Sequence, residues 1–422
     1  MRIGFAKESI TPPVGTALGG YAGYRPCAGS HDPLWCKAVV LEAQDGCFAL
    51  LSLDLLCVDE SLSNRIADAV KPLGIRAVVA AAIHSHATPC GMIPGEGPLA
   101  AVNAFGDLLA YNQSVVEAAA AACREAMSHL ETFAVRTAQG PAPVLGSERH
   151  TGEKADLTMT VLECRTERGR HLTMYQIPCH PTVLGPGNLL ASADFVGGVE
   201  ERLDTDLAVF LNGAAGDIST RFTRREQSFE ECDRMAAMAA EAVENLIRSE
   251  VYTEPEELKG LRGVITLDAR PVDSPEQAQK ALEEATARWH AAANAGEDPG
   301  RVRILKSYVE GAGVALEFSE TMAGIRQLEL PVTVFSFAGL EFATVPGEMF
   351  STLWSLDAVP ICYANGYYRY IADTHAYDAG YYEAMAAILA RGQGEEFVKQ
   401  TARLLEQIKN GGNDNGNSTQ IL

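Results

Sequence analysis

Two histidines separated by a single residue stand directly after an apolar stretch of the chain. His84 and His86 follow residues 78–83, which are all apolar and are typical of a buried strand. Side chains alternate between the two faces of a strand, so these two imidazoles point the same way if the extended conformation continues. Neutral imidazole is both a metal ligand and a base near pH 7, so the pair is suited to holding a metal or moving a proton. The spacing alone is equally compatible with two half-buried histidines bonded to backbone carbonyls.

A third histidine lies in a similar position further along the chain. His180 follows the predicted strand 172–177, and functional side chains concentrate where a strand gives way to a loop. A histidine that precedes a proline fits a structural role as well as a ligand role. The neighbouring Cys179 is not expected to be a nucleophile, because an apolar strand end does not lower the pKa of a thiol.

A loop of small residues follows the predicted strand 207–211. Its sequence, NGAAGDIS, lacks the Gly-Lys-Ser/Thr ending of a phosphate loop and the GxSxG pattern of a nucleophile elbow. Asp217, Ser219 and Arg221 place a carboxylate, a hydroxyl and a guanidinium within five residues. These groups could orient a substrate or a water, although the loop also fits a simple tight turn.

Two further segments near the carboxyl end of the chain carry polar groups with possible chemistry. Glu348 ends a Pro-Gly-Glu turn after the predicted strand 340–345, and a tyrosine-rich segment follows with Asn365, Tyr367 and Tyr370. Clustered aromatic side chains more often form a core or a pocket wall. A phenol beside a metal can nevertheless ligate it or donate a hydrogen bond to a developing oxyanion.

The segments that must position these residues alternate between strand and helix patterns. Apolar runs of strand length occur at residues 35–43, 48–56, 78–83, 157–164, 172–177, 207–211, 332–337 and 340–345. Residues 114–129 and 232–247 have the composition and spacing of helices that pack on a sheet. The pattern predicts an α/β protein in which mixed β-sheets pack together and are flanked by helices.

The domain organisation predicted from the chain is a single domain, residues 1–409, with one excursion. Residues 252–325 are highly charged and are predicted to be a helical excursion from the core. Ser274 and Gln277 form a candidate capping box with Pro275 at the first helical position. The tail 410–422 is small and polar over most of its length, and we expect it to be disordered.

Composition excludes several classes of protein. The chain has 422 residues, 47% hydrophobic and 21% charged, which is enough apolar material for a packed core. Its formal net charge of -21 opposes binding to nucleic acid, so we expect a small-molecule substrate. No apolar stretch approaches the roughly 18 residues of a membrane span, and the first residues lack the apolar core of a signal peptide. Ten cysteines without a CxxC pair suit a reducing compartment, so we expect a cytoplasmic protein.

Taken in order, these motifs resemble the catalytic domain of the neutral/alkaline non-lysosomal ceramidases. The shared motifs are ITPP at 10–13 with GGYA at 19–22, HSH at 84–86, HPT at 180–182, GDIS at 216–219, PGE at 346–348 and YANGYYRYI at 363–371. The resemblance extends over residues 10–383 and implies the fold of that domain. It also implies a bacterial-type protein without the immunoglobulin-like domain that follows the catalytic domain in ceramide-cleaving members.

Those enzymes are zinc amidases that cleave the N-acyl bond of ceramide, so the resemblance implies Zn²⁺ and an amide substrate. Matching motif to motif, the implied zinc ligands are His84, His180, Glu348 and Tyr370. His86 matches a catalytic residue beside the metal, and Ser219 matches a serine proposed as a nucleophile. We assign Asp217 to the same catalytic group. The residues expected to contact substrate are Arg221, Tyr367 and Asn365.

The implied site predicts hydrolysis by a zinc-bound water, whose pKa can fall to about 7. His86 would carry protons between that water and the leaving amine, and Tyr370 would stabilise the oxyanion. We prefer this order to a serine nucleophile, because Ser219 has no dedicated base within its own motif.

One departure from the family pattern bears on the substrate. Thr220 and Arg221 follow GDIS where the family has Pro-Asn, so an anionic substrate group could meet Arg221. We therefore expect an N-acyl compound, with a lipid as one candidate. The alternatives are an esterase or another acyl hydrolase with the same metal site, and a binding protein that keeps the pocket without turnover.

Overall fold

The computed structural model describes residues 1–43, 46–93, 108–409 and 418–420. Its strands are β1 Arg2–Ser9, β2 Gly29–Ser30, β3 Trp35–Ala43, β4 Gly46–Leu53, β5 Ile75–Ala82, β6 Phe133–Pro141, β7 Ser147–Glu148, β8 Thr158–Thr166, β9 His171–Ile177, β10 Leu190–Ala191, β11 Leu207–Asn212, β12 Ile218–Ser219, β13 Lys259–Asp268, β14 Gln327–Phe337, β15 Leu340–Val345, β16 Glu348–Met349, β17 Val359–Cys362, β18 Tyr370–Ile371 and β19 Ser418–Gln420. Its α-helices are α1 Glu60–Val70, α2 Leu109–Ser128, α3 Phe229–Ile247, α4 Pro275–Asn294, α5 Pro299–Thr321, α6 Thr374–Ala379, α7 Tyr382–Ala386 and α8 Gln393–Lys409.

Three larger sheets form the body of the molecule. Their strand orders are β1-β3-β4-β5, β11-β9-β8-β6 and β17-β15-β14-β13-β19. Each sheet mixes antiparallel pairs with one parallel pair, namely β4 with β5, β9 with β11, and β15 with β17. Two-residue strands add three short pairs, β2 with β10, β7 with β12, and β16 with β18.

The three sheets pack against one another through a shared apolar cluster. Phe48 and Val79 come from the first sheet, Met174 from the second, and Phe335 and Ile361 from the third. Helices cover the outer faces, with α2 on β1 and β3, α3 on β6 and β8, and α8 on β13 and β14. Mixed sheets packed together and flanked by helices are the predicted architecture, and this prediction is confirmed.

The predicted excursion contains a strand as well as helices. Within residues 252–325, β13 belongs to the third sheet and pairs along its whole length with β14. The helical part consists of α4 and α5, which span residues 275–321 and pack against each other. The capping box is present, because Ser274 accepts from the Gln277 backbone N–H and the Gln277 side chain accepts from that of Ser274.

Most of the tail predicted to be disordered, 410–417 and 421–422, lies outside the described residues. Ser418–Gln420 is a short strand beside β13. None of the helices in the described ranges combines the length and the apolar character that a membrane crossing requires.

Candidate functional site

One strand from each of the three sheets ends at the same place. His84 follows β5, His180 follows β9, and Glu348 follows β15. Each of these strands belongs to the parallel pair of its sheet, and ligand sites in α/β folds gather at the carboxyl ends of parallel strands. The backbone of His84 has a φ of 69°, so the chain leaves the extended conformation at this residue.

The three predicted histidines form one cluster. The nitrogen atoms that His84, His86 and His180 can offer to a metal all lie within 4.8 Å of one another. His84 and His180 are buried, whereas His86 is half-buried. This arrangement could hold a metal ion.

Backbone carbonyls determine which ring nitrogen of His84 and of His180 is available to a metal. The Nδ1 atom of His84 lies 2.7 Å from the Leu56 carbonyl, and that of His180 lies 2.7 Å from the Ala215 carbonyl and 2.9 Å from the Ile218 carbonyl. Carbonyl oxygens only accept, so each Nδ1 carries the hydrogen and each Nε2 presents a lone pair when the ring is neutral.

Glu348 faces those lone pairs. Its Oε2 atom lies 3.0 Å from Nε2 of His180 and 3.4 Å from Nε2 of His84. Burial lowers the pKa of His180, and the hydrogen bond to Glu348 opposes this only in part. A carboxylate oxygen and an unprotonated nitrogen at this distance repel each other unless a cation lies between them. The donor set therefore fits a metal ion, with two imidazoles and a carboxylate as ligands.

Two tyrosines support the ligands from behind. The Tyr367 hydroxyl donates to Oε1 of Glu348 at 2.5 Å, which leaves Oε2 for the histidines. Tyr363 was not among the predicted site residues, yet its ring stacks on His84 with centroids 4.0 Å apart. The Tyr363 hydroxyl is buried and has no hydrogen-bond partner among the residues that the structure describes.

Tyr370 stands beside Glu348, because β16 and β18 run parallel with these two residues in register. Its hydroxyl accepts from Nη1 of Arg149 at 3.2 Å. The Arg149 guanidinium also lies 3.1 Å from a Glu383 carboxylate oxygen, and the other oxygen of Glu383 lies 2.9 Å from Nε2 of His150. Arg149 is therefore a cation held next to the phenol that the motifs predict as a ligand.

His86 is positioned by the loop that carries the GGYA motif. The Tyr21 ring meets the His86 ring edge-on with centroids 4.9 Å apart. Gly20 approaches so closely that a Cβ atom would lie 2.4 Å from Cγ of His86. Arg25 donates to the His86 carbonyl at 3.0 Å. Burial, followed by the neighbouring His84 and His180, lowers the pKa of His86 well below its ordinary value.

The three polar residues of the small-residue loop have different surroundings. Asp217 accepts from both the backbone N–H and the hydroxyl of Ser351, at 2.6 and 2.7 Å, so its carboxylate joins two loops. Ser219 pairs with His180 through a backbone bridge, and its hydroxyl accepts from the Arg221 N–H. The Arg221 guanidinium is exposed and donates to the Arg149 carbonyl at 3.1 Å.

Asn365 does not lie where a substrate contact requires it. Its amide oxygen accepts from the Ala80 N–H at 2.8 Å and from the Ser63 hydroxyl at 3.2 Å, while its amide nitrogen donates to Thr333 at 3.4 Å. The side chain is buried and bonded to the core, so it anchors the tyrosine segment on β5. The predicted substrate role of Asn365 is therefore corrected to a structural one.

Asn212 is another site residue that the motifs did not predict. Its buried amide donates to the carbonyls of Ile83 and Cys179, at 3.2 and 3.1 Å. These carbonyls belong to the residues immediately before His84 and His180, so one side chain sets the spacing of both predicted ligands. The only sequence signal was its position at the end of a predicted strand.

Comparisons with known proteins identify the fold. No protein-family model and no curated protein sequence matches the chain. The crystal structure of neutral ceramidase from Pseudomonas aeruginosa superposes with a TM-score of 0.71 at 16% identity, and covers 98% of this chain and 75% of that one. A structure described as ceramidase complexed with C2 gives a TM-score of 0.73 at 16% identity, with 97% and 75% covered. The chain has the fold of these ceramidases, as the resemblance predicted.

Proposed function

We propose that this protein is a metal-dependent hydrolase that cleaves the amide bond of an N-acyl compound. The observation that carries the proposal is the arrangement of His84, His180 and Glu348, in which the Nε2 atoms of both rings face one carboxylate oxygen. The fold shared with two ceramidase structures supports an amide of a fatty acid as the substrate class.

Zinc is the ion that we propose, because imidazole and carboxylate oxygen are its common ligands in hydrolases. The residues that would hold it are His84, His180, Glu348 and Tyr370. A bound zinc ion would supply a water of lowered pKa and polarise the substrate carbonyl. Tyr367 would keep Glu348 in place, since its hydroxyl holds the oxygen that does not face the histidines.

His86 is the proposed proton carrier. Its pKa is well below the ordinary value because of burial, so the ring is neutral near pH 7 and can accept a proton. The same ring could return the proton to the amine that leaves. Gly20 and Tyr21 hold the ring edge beside the other two histidines, which limits it to one orientation.

Arg149 is proposed to stabilise negative charge on the substrate oxygen, together with the Tyr370 hydroxyl. A half-buried guanidinium that is fixed by Glu383 requires little rearrangement when charge develops nearby. Ser219 is not the proposed nucleophile, because its hydroxyl accepts a backbone hydrogen bond and has no base beside it among the described residues. Asp217 is proposed to act by positioning the loop that follows Glu348.

The metal content of the purified protein tests the first part of the proposal. We expect about one zinc ion per chain in protein prepared without chelator, as measured by inductively coupled plasma mass spectrometry. His84→Ala and His180→Ala should each lose the ion. His290→Ala removes an exposed histidine on α4 and should keep it.

Turnover tests the second part. Fatty acyl amides and esters with the same acyl chain should be compared, and removal of the metal should abolish hydrolysis of both. A preference for amides is expected from a dedicated amidase, whereas equal turnover would indicate a general acyl hydrolase. A protein that neither binds zinc after reconstitution nor releases fatty acid would contradict the proposal.

A further inference from the structure

Arg221 lies outside the histidine cluster but is connected to it. It follows Ser219 by two residues, and Ser219 bridges to the backbone of His180. One guanidinium nitrogen donates to the Arg149 carbonyl, and the side chain of Arg149 reaches the Tyr370 hydroxyl. Arg221 is thus connected to the site through Arg149, while its side chain remains exposed.

The charges around Arg221 are mostly of the same sign. Arg149, Arg303 and Arg224 act on it as like charges, and Glu383 is the acidic group that opposes them. Glu383 is already engaged by Arg149 and His150. Over the described ranges of the chain, no carboxylate forms an ion pair with Arg221.

The other two cations have partners of their own. Arg303, on α5, pairs with Glu310 at 3.2 Å, and Arg224 donates to the Thr182 carbonyl. Arg221 is therefore an exposed cation without a carboxylate partner among the described residues, in a protein of net charge -21. The pKa of Arg221 is lowered from its ordinary value, first by partial removal from water and then by the neighbouring like charges. An anion bound beside Arg221 would raise this pKa again.

The residue next to Arg221 presents an apolar surface. The Phe222 side chain is 55% exposed, and it packs on Gly152 closely enough that a Cβ there would lie 3.1 Å from the ring. An exposed guanidinium followed in the chain by an exposed aromatic residue suits a ligand that combines a negative group with hydrocarbon.

We infer that Arg221 binds an anionic group of the substrate, so that the protein acts on N-acyl compounds whose amine part carries a carboxylate or a similar anion. An N-acyl amino acid has this chemistry. The guanidinium would take the anion in a charge-assisted hydrogen bond, and the amide would lie between Arg221 and the histidines. The inference rests on the proposed function.

Three laurate amides of similar size test it. N-lauroylglycine carries a carboxylate, N-lauroyltaurine carries a sulfonate, and N-lauroylglycinamide is a neutral isostere of the first. Release of laurate should show a kcat/KM about tenfold or more in favour of the two anions, with the difference mainly in KM. Calorimetric binding of the same compounds should show the same preference without requiring turnover.

Substitutions identify the residue responsible. Arg221→Gln should lower kcat/KM for the two anions to about the value for the neutral amide, and Arg221→Lys should keep part of the preference for anions. Arg288→Gln is the matched control, because it removes the same charge from an exposed position on α4.

Two results would overturn the inference. The first is an equal loss of kcat on anionic and neutral amides in Arg221→Gln, which would mean that Arg221 only positions Arg149. The second is wild-type protein that binds the three compounds equally. If calorimetry shows the anion preference while no laurate is released, the proposed hydrolysis is wrong and the anion site stands.

Discussion

At the scale of single residues, one hydrogen bond gives the two carboxylate oxygens of Glu348 different roles. Oε1 accepts from Tyr367, and Oε2 faces His180 and His84. A carboxylate without the tyrosine could rotate and lose its alignment with the histidines. Removing a group that hydrogen-bonds to a metal ligand typically lowers metal affinity by about 10- to 100-fold.

Tyr367→Phe should therefore lower zinc affinity by about 10- to 100-fold while the protein stays folded. Competition with a chromogenic chelator measures the change. Tyr368→Phe is the control, since that neighbouring hydroxyl donates to the Glu329 carbonyl and not to a proposed ligand. Equal affinities in the two variants would show that Tyr367 does not support Glu348.

Residue types predicted part of the site and could not predict the rest. His84, His180 and Glu348 stand in short motifs at predicted strand ends, and the resemblance carried by the order of these motifs grouped them into one candidate site. Arg149 has no such motif, and its partner Tyr370 is 221 residues away in the chain. A contact of this kind depends on tertiary packing, which a local pattern does not encode.

At the scale of elements, long apolar runs were predicted well and short pairs were not. The predicted strand 48–56 ends earlier, because β4 stops at Leu53 and Asp54 turns back to the Trp35 backbone. Strands of two residues, such as β16 and β18, have no periodicity to detect. They nevertheless place Glu348 beside Tyr370, so the site depends on elements that sequence patterns cannot show.

The GGYA loop offers a test of an element's role in positioning His86. Gly20→Ala would introduce a Cβ atom against the His86 ring and also strain a φ of 87°. We expect hydrolysis of the best amide substrate to fall about 100-fold, since small displacements of a catalytic group have effects of this size. The rate of laurate release under saturating zinc measures this loss of activity.

Gly15→Ala separates the two causes in the same loop region. Its φ of 95° is equally unfavourable for alanine, but nothing lies within 4 Å of the added atom. Gly15→Ala should lose about 1–2 kcal/mol of unfolding free energy through backbone strain, Gly20→Ala should lose more because of the added contact, and only Gly20→Ala should lose activity. Similar losses of activity in both would argue that backbone strain, and not the contact with His86, is responsible.

At the scale of the whole molecule, three sheets from distant parts of the chain share one core, and one strand of each sheet ends at the same site. This packing leaves acidic side chains in apolar surroundings. Asp54 is 4% exposed, and it accepts from the Trp35 N–H where β3 begins. Burial raises its pKa to about 6, with Lys37 opposing the shift. The folded protein therefore binds a proton at Asp54 more tightly than the unfolded chain does.

The sign of the resulting pH dependence follows from this difference. The folded pKa of about 6 exceeds the ordinary value of 3.8, so the contribution of Asp54 to stability is greatest below about pH 4 and is lost as pH rises to about 6. A shift of about two units corresponds to ~3 kcal/mol.

Asp54→Asn keeps an acceptor for Trp35 and cannot ionise. Relative to wild type, its unfolding free energy in urea should rise by ~2–3 kcal/mol between pH 4 and pH 7. Asp357→Asn, at an exposed position, should show no such rise, and a flat difference for Asp54→Asn would mean that the buried carboxyl ionises in the folded protein as easily as in the unfolded chain.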